Sequence, residues 1–117
     1  MEYMLVLFSD PRPFATMKPA EMEQMAGAYY AFTQALQKEK AFVDSRRLKT
    51  AAEATTVTLE GGKSKVLNGP YAETKEELAG YYLIDVPDLD AAMKWAARCP
   101  TAGHGHVEVR PIWPMPG

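Results

Sequence analysis

The residues best placed to do chemistry lie at alternating positions near the end of the chain. His106, Glu108 and Arg110 stand two apart in the segment 106–112, which reads as a strand. Successive strand residues point to opposite faces, so these three share one face with Ile112 while Val107 and Val109 take the other. Tyr81 and Asp85 alternate in the same way in the strand-like run 81–86, and Asp44 and Arg46 follow Phe42 at that spacing in 42–48. A histidine moves a proton near neutral pH, and an arginine keeps its charge and can clamp a carboxylate or phenolate. His106 and Asp85 are therefore the acid–base candidates. Arg110, Glu108, Tyr81, Asp44 and Arg46 are the ligand-binding ones. Polar groups among apolar walls, closed over by a partner sheet, make a small-molecule pocket for an anionic or phenolic ligand. The plainer reading is structural: Glu108 and Arg110 make cross-strand ion pairs at a dimer interface, with Asp85 pairing with one of them.

Other chemistries lack their residues. There is no phosphate-binding Gly-rich loop, no His-Glu-x-x-His and no Cys/His cluster with zinc spacing. His104 and His106 flank one glycine without a third ligand in view, so neither a metal nor a cofactor is expected; His104 reads as an exposed turn residue. Cys99, the single cysteine, excludes an internal disulfide and suits a reducing cytoplasm. With no His or Lys near it in sequence, it reads as a buried structural thiol. A net charge of −2 with no basic stripe argues against a nucleic-acid partner. The N-terminal apolar run is too short, and Glu2 has the wrong charge, for a signal peptide; no segment reaches membrane-spanning length.

The elements that must hold these residues are legible. A chain of 117 residues with 47% apolar content fits one domain, 1–117, with a core of its own. Residues 2–9 form a first strand that is apolar on both sides, Tyr3, Leu5 and Leu7 against Met4, Val6 and Phe8. A strand in a two-layer domain needs one apolar face, so something must cover the second. Asp10-Pro11-Arg12-Pro13 breaks the strand into a loop. Pro19 suits a first helical position, and Met22, Met25, Ala26, Tyr29, Phe32 and Leu36 recur at helical spacing to about residue 39. Lys18 is a poor cap, which leaves the start of this helix free to slip.

After the strand at 42–48, segments 52–60 and 63–67 flank Gly61-Gly62 as a hairpin. The charged piece 72–78 has the length and i, i+4 pattern for one or two helical turns. Strand 81–86 leads to Asp88, which caps a helix over 89–99 that puts Leu89, Ala92, Met93, Ala96 and Cys99 on one stripe. Trp113, in the tail, is a candidate anchor. The order is β-α-β, a hairpin insertion, then β-α-β: a ferredoxin-like α+β plan with two helices on one sheet face.

The nonapeptide Asn68-Gly69-Pro70-Tyr71-Ala72-Glu73-Thr74-Lys75-Glu76 resembles the signature of the DGPF branch of the YCII-related family, usually Asp-Gly-Pro-Phe-Ala-Glu-Thr-Lys-Glu. Ala54-Thr55-Thr56-Val57, Gly80-Tyr81-Tyr82-Leu83-Ile84 and Val107-Glu108-Val109-Arg110-Pro111 agree with it as well. Asn68 and Tyr71 depart from the usual Asp and Phe. The resemblance implies the same fold, paired sheet to sheet as a homodimeric α/β barrel, with Tyr71 and Glu73 available to line one rim of a shared pocket. It also implies, as an alternative function, a regulatory module associated with an extracytoplasmic-function sigma factor. A relative resembling this fold is a dehydrochlorinase. The His–Asp pair proposed as acid and base in the wider family places its His near the first helix, and residues 11–41 here contain none.

Overall fold

A computed structural model describes residues 1–116. Strands β1 (Glu2–Ser9), β2 (Phe42–Arg47), β5 (Glu77–Asp85) and β6 (His106–Pro111) form one sheet in the order β2-β5-β1-β6. Every pairing in it is antiparallel. Strands β3 (Thr55–Glu60) and β4 (Lys63–Asn68) form a separate two-stranded ribbon. Helices α1 (Arg12–Ala15), α2 (Pro19–Lys38) and α3 (Leu89–Arg98) complete the chain, with short 3-10 turns at Ala51–Glu53 and Pro100–Gly103.

The two-sided apolar strand is central, as its composition demands. Tyr3, Leu5 and Leu7 of β1 are buried in one core with Tyr82 and Ile84 of β5, Phe32 and Leu36 of α2, and Ala92, Ala96 and Cys99 from α3 and its end. Phe32 packs edge-on against Tyr82 at 5.0 Å and against Trp95 at 6.1 Å. The buried hydroxyls are satisfied locally: Tyr82 bonds Thr33 at 2.8 Å, and Tyr29 bonds Thr101 at 2.6 Å. Burial also pushes the Cys99 thiol pKa up, which suits a packing residue rather than a nucleophile.

Capping follows the sequence. The Asp88 carboxylate accepts from the Ala91 backbone N–H at 2.9 Å, and α2 begins at Pro19 without slipping. The Glu21 side chain accepts from the Lys18 N–H at 3.4 Å, which helps fix that start.

Several expectations are corrected. Residues 72–78 form no helix: Glu77 already belongs to β5, opposite Ser9, and its carboxylate accepts from the Ala51 N–H at 2.7 Å. Within this piece Thr74 bonds the nearby Glu76 backbone carbonyl. The loop expected after Asp10 contains α1. The apolar stripes are only partly buried: Met22 and Ala26 of α2, and Leu89 and Met93 of α3, are exposed. Trp113 is exposed and anchors nothing among the described residues.

The face opposite the core carries Met4, Val6 and Phe8 of β1, with Tyr81 and Leu83 of β5, all half-buried. Two β-bulges shape it. One, in β2 between Phe42 and Asp44, sets Phe42 opposite Ile84 on the core side and Asp44 opposite Leu83. The expectation that Phe42 shares a face with Asp44 and Arg46 fails there, because one extra residue reverses the alternation. The other lies where β1 meets β5: Leu7 faces Gly80, but Phe8 faces Leu78.

Candidate functional site

The helix-free face is a set of cross-strand rows. Arg46, Tyr81, Val6 and Glu108 line up across the four strands, and Asp44, Leu83, Met4 and Arg110 form the neighbouring row. A third row holds Leu78, Phe8 and His106. The apolar middle is thus flanked by polar groups on both edge strands.

On the β2 edge, Tyr81 donates its hydroxyl to Asp44 at 2.7 Å, and Arg46 reaches the same carboxylate at 2.7 Å. The Tyr81 hydrogen bond, then a backbone one from Ser45, hold the Asp44 carboxyl below its ordinary pKa; the same contact raises the Tyr81 phenol. Because the folded value is the lower one, this contact stabilises the fold above the unfolded carboxylate pKa of about 3.9 and is lost as pH falls through the folded value. Tyr81→Phe is expected to return Asp44 towards the usual range, read from its carboxyl carbon in an NMR titration. An unchanged Asp44 curve would exclude the phenol as the main cause.

On the β6 edge, Arg110 pairs with Glu108 at 3.0 Å. Asp85 lies at the far end of β5, opposite Glu2, and binds the N-terminal ammonium at 2.8 Å. His106 is opposite Phe8, at the other end of β1. Six residues of strand, on the order of 20 Å, separate these rows, so the two acid–base candidates do not share a site.

His106 has a different carboxylate. Its Nδ1 contacts Oε1 of Glu76, in the loop between β4 and β5. A carboxylate only accepts, so Nδ1 is the donor, and in the neutral ring Nε2 is left as the acceptor. Strand alternation read back from Tyr81 puts Glu76 on the core side. The bulge at Phe8 and Leu78 reverses that phase and carries Glu76 to the helix-free side. No local pattern signals this contact, because it joins residues 30 apart through a register shift.

Beside this pair the loop forms one wall of an open groove of about 430 Å³, lined by Asp10, Pro11, Arg12, Thr74, Lys75 and Glu77. Arg12 holds Asp10 through its Nε at 3.0 Å and Nη2 at 2.7 Å, and these bonds bring the Asp10 carboxyl pKa down to about 2. The groove takes its loop residues from Thr74 onward; Tyr71 and Glu73 are exposed outside it. His104 packs edge-on against Phe14 at 5.5 Å and contacts the Tyr29 hydroxyl at 3.3 Å, tying α1 to the turn before β6. Among the described residues no three His, Cys, Asp or Glu side chains converge to hold a metal ion. Nor is any helix there long and apolar enough to cross a membrane.

Over the described residues the chain is a small α+β protein with antiparallel sheets and three helices. The chain matches the YCII-related domain over residues 1–116 and belongs to that family. It is also similar to an uncharacterised protein of Rhizobium meliloti (strain 1021), 43% identical over 68 residues. The matched segment takes in 56% of this chain and 55% of that relative, so the likeness spans about half of each.

Proposed function

We propose that this YCII-related domain works as a ferredoxin-like homodimer, two sheets pairing through their helix-free faces as an α/β barrel around a small-molecule pocket. With the hairpin set aside, the sheet runs second, third, first, fourth strand in chain order, as that plan requires. The half-buried Met4, Val6, Phe8 and Leu83 support the pairing, since leaving apolar surface wet costs about 25 cal/mol per Å². The reading of Cys99 as a reduced, buried thiol supports a cytoplasmic setting.

The ligand class is a small carboxylate or phenol. Arg110 supplies the fixed positive charge, with Glu108 as its resting partner. His106 supplies an Nε2 that accepts a proton from a bound phenol or acidic C–H and returns it, while Glu76 orients the ring. The observation that carries this reading is the carboxylate on His106 Nδ1, which orients the ring and leaves Nε2 facing away from it.

The test is a titration of wild type, Arg110→Ala and His106→Ala with aromatic carboxylates and phenols, followed by NMR after sedimentation has compared their assembly. Wild type is expected to shift around β6, and Arg110→Ala to bind the carboxylates about tenfold more weakly, a loss near 1.4 kcal/mol. Equal responses in wild type and Arg110→Ala, or no response in wild type, would overturn the reading. Co-purification with a sigma factor, without any ligand response, would favour an interaction module instead.

A further inference from the structure

The ribbon β3–β4 has no home in one copy of the chain. Among the described residues its strands pair with each other and join no other strand, in the register Val57 opposite Val66 and Leu59 opposite Ser64. Alternation therefore puts Val57, Leu59 and Val66 on one face, and all three are 60% exposed or more. The other face carries Thr56, Thr58, Glu60, Lys63 and Lys65, with one apolar residue, Leu67, near the root, and Glu60 pairs with Lys65 at 3.5 Å. Gly61 and Gly62, at φ of 57° and 80°, close the tip in the left-handed conformation that a tight hairpin turn requires.

At the base, Gly69 donates to the Ala54 carbonyl at 2.7 Å and Thr56 to the Gly69 carbonyl at 2.8 Å. The arm is thus held at its root and uncovered along its length, and an isolated two-stranded hairpin is marginal in water. The overall shape agrees: a plate of 48 × 46 × 18 Å with a radius of gyration of 16.4 Å, against about 13 Å for a compact chain of this length.

We infer that the apolar face of this arm is an interface, and that its occupant is a second copy of the chain. This rests on the sheet-to-sheet pairing proposed above, and area favours the second copy. Four strands about 4.8 Å apart and about 20 Å long present on the order of 400 Å². Even with surface relief that falls short of the roughly 800 Å² per partner that a stable interface buries. The arm supplies the deficit where the face continues into it. It is inserted between the end of β2 and the start of β5, at the end of the sheet where Leu78, exposed, stands beside Phe8. Gripping a partner from there also places the arm's root loop, which carries Glu76, at the rim of the shared space.

The experiment compares the full chain with two variants by sedimentation velocity over a concentration series. One carries Val57→Thr, Leu59→Thr and Val66→Thr, which keep β-propensity and remove the apolar face; the other carries Val6→Glu on the sheet. Hydrogen exchange of the β1 and β5 amides checks that each variant retains the sheet. Wild type is expected to be a dimer, the arm variant to dissociate at least tenfold more readily, and Val6→Glu to be monomeric. If the arm variant matches wild type while Val6→Glu dissociates, the arm inference falls and the sheet pairing stands. If only the arm variant dissociates, the arm interface stands and the sheet pairing falls. A monomeric wild type at tens of micromolar overturns both.

Discussion

Gly105→Ala is expected to destabilise the protein by about 2–3 kcal/mol, because the methyl group has nowhere to go. A Cβ at that position would lie 2.1 Å from the Phe8 carbonyl oxygen and 3.2 Å from Ser9 Cα. These atoms are backbone of β1, paired on both sides at the centre of the sheet, so they cannot move aside as a flexible side chain would. The start of β6 must give instead. Against a total stability of about 5–15 kcal/mol, the loss is on the order of 10 °C or more in Tm. The same displacement pulls His106, the next residue, away from Glu76. Gly103→Ala is the control: its Cβ would meet nothing within 4 Å. Calorimetry of the two variants, with the His106 imidazole resonances followed alongside, decides the matter. Equal Tm values would show that β6 tolerates the methyl group and that the close approach is not holding the site.

Much of the fold was legible because its signals are local. Asp88, Pro19 and the Gly61-Gly62 pair act through capping, a fixed φ and left-handed turns, and each marks the element it was expected to mark. The two-sided strand at 2–9 announced its central place through composition. The face assignment that failed did so at a bulge. One extra residue in β2 moved Phe42 to the core side, and a second register shift, where β1 meets β5, sets the side on which Glu76 lies. Alternation propagates from a single reference residue, so an unseen bulge inverts everything beyond it. The piece 72–78 failed for a related reason. Its i, i+4 charges favour a helix by a few tenths of a kcal/mol, less than the pairing of Glu77 and Leu78 with β1 provides.

The site was legible as residue types on a shared face and illegible as contacts. His106, Glu108 and Arg110 are all exposed on one strand, as their spacing requires. Their partners were a matter of competition between nearby charges. Arg110 takes Glu108 from its own strand, and Asp85 takes the N-terminal ammonium instead of either. Side-chain reach and strand register decide such choices, and neither is written in the alternation.

The adjacent residues Ile84 and Leu83 separate what the core holds from what a partner is proposed to hold. Ile84 is fully buried in the core, so Ile84→Ala removes three carbons from a packed site. The expected loss is about 2–5 kcal/mol at any protein concentration, since the cavity lies within one copy. Leu83 points the other way, half-buried between Asp44 and Met4 on the open face. In a single copy Leu83→Ala costs about 1 kcal/mol of burial. If two copies share that face, wild type gains stability with concentration that the variant gains less well, so the Leu83→Ala deficit should widen as protein is added. Chemical denaturation of wild type and both variants at about 1 and about 100 µM gives the answer. A Leu83→Ala deficit that stays constant across that range would remove the sheet-to-sheet pairing, while an Ile84→Ala loss below about 1 kcal/mol would mean the core relaxes into the space that isoleucine leaves.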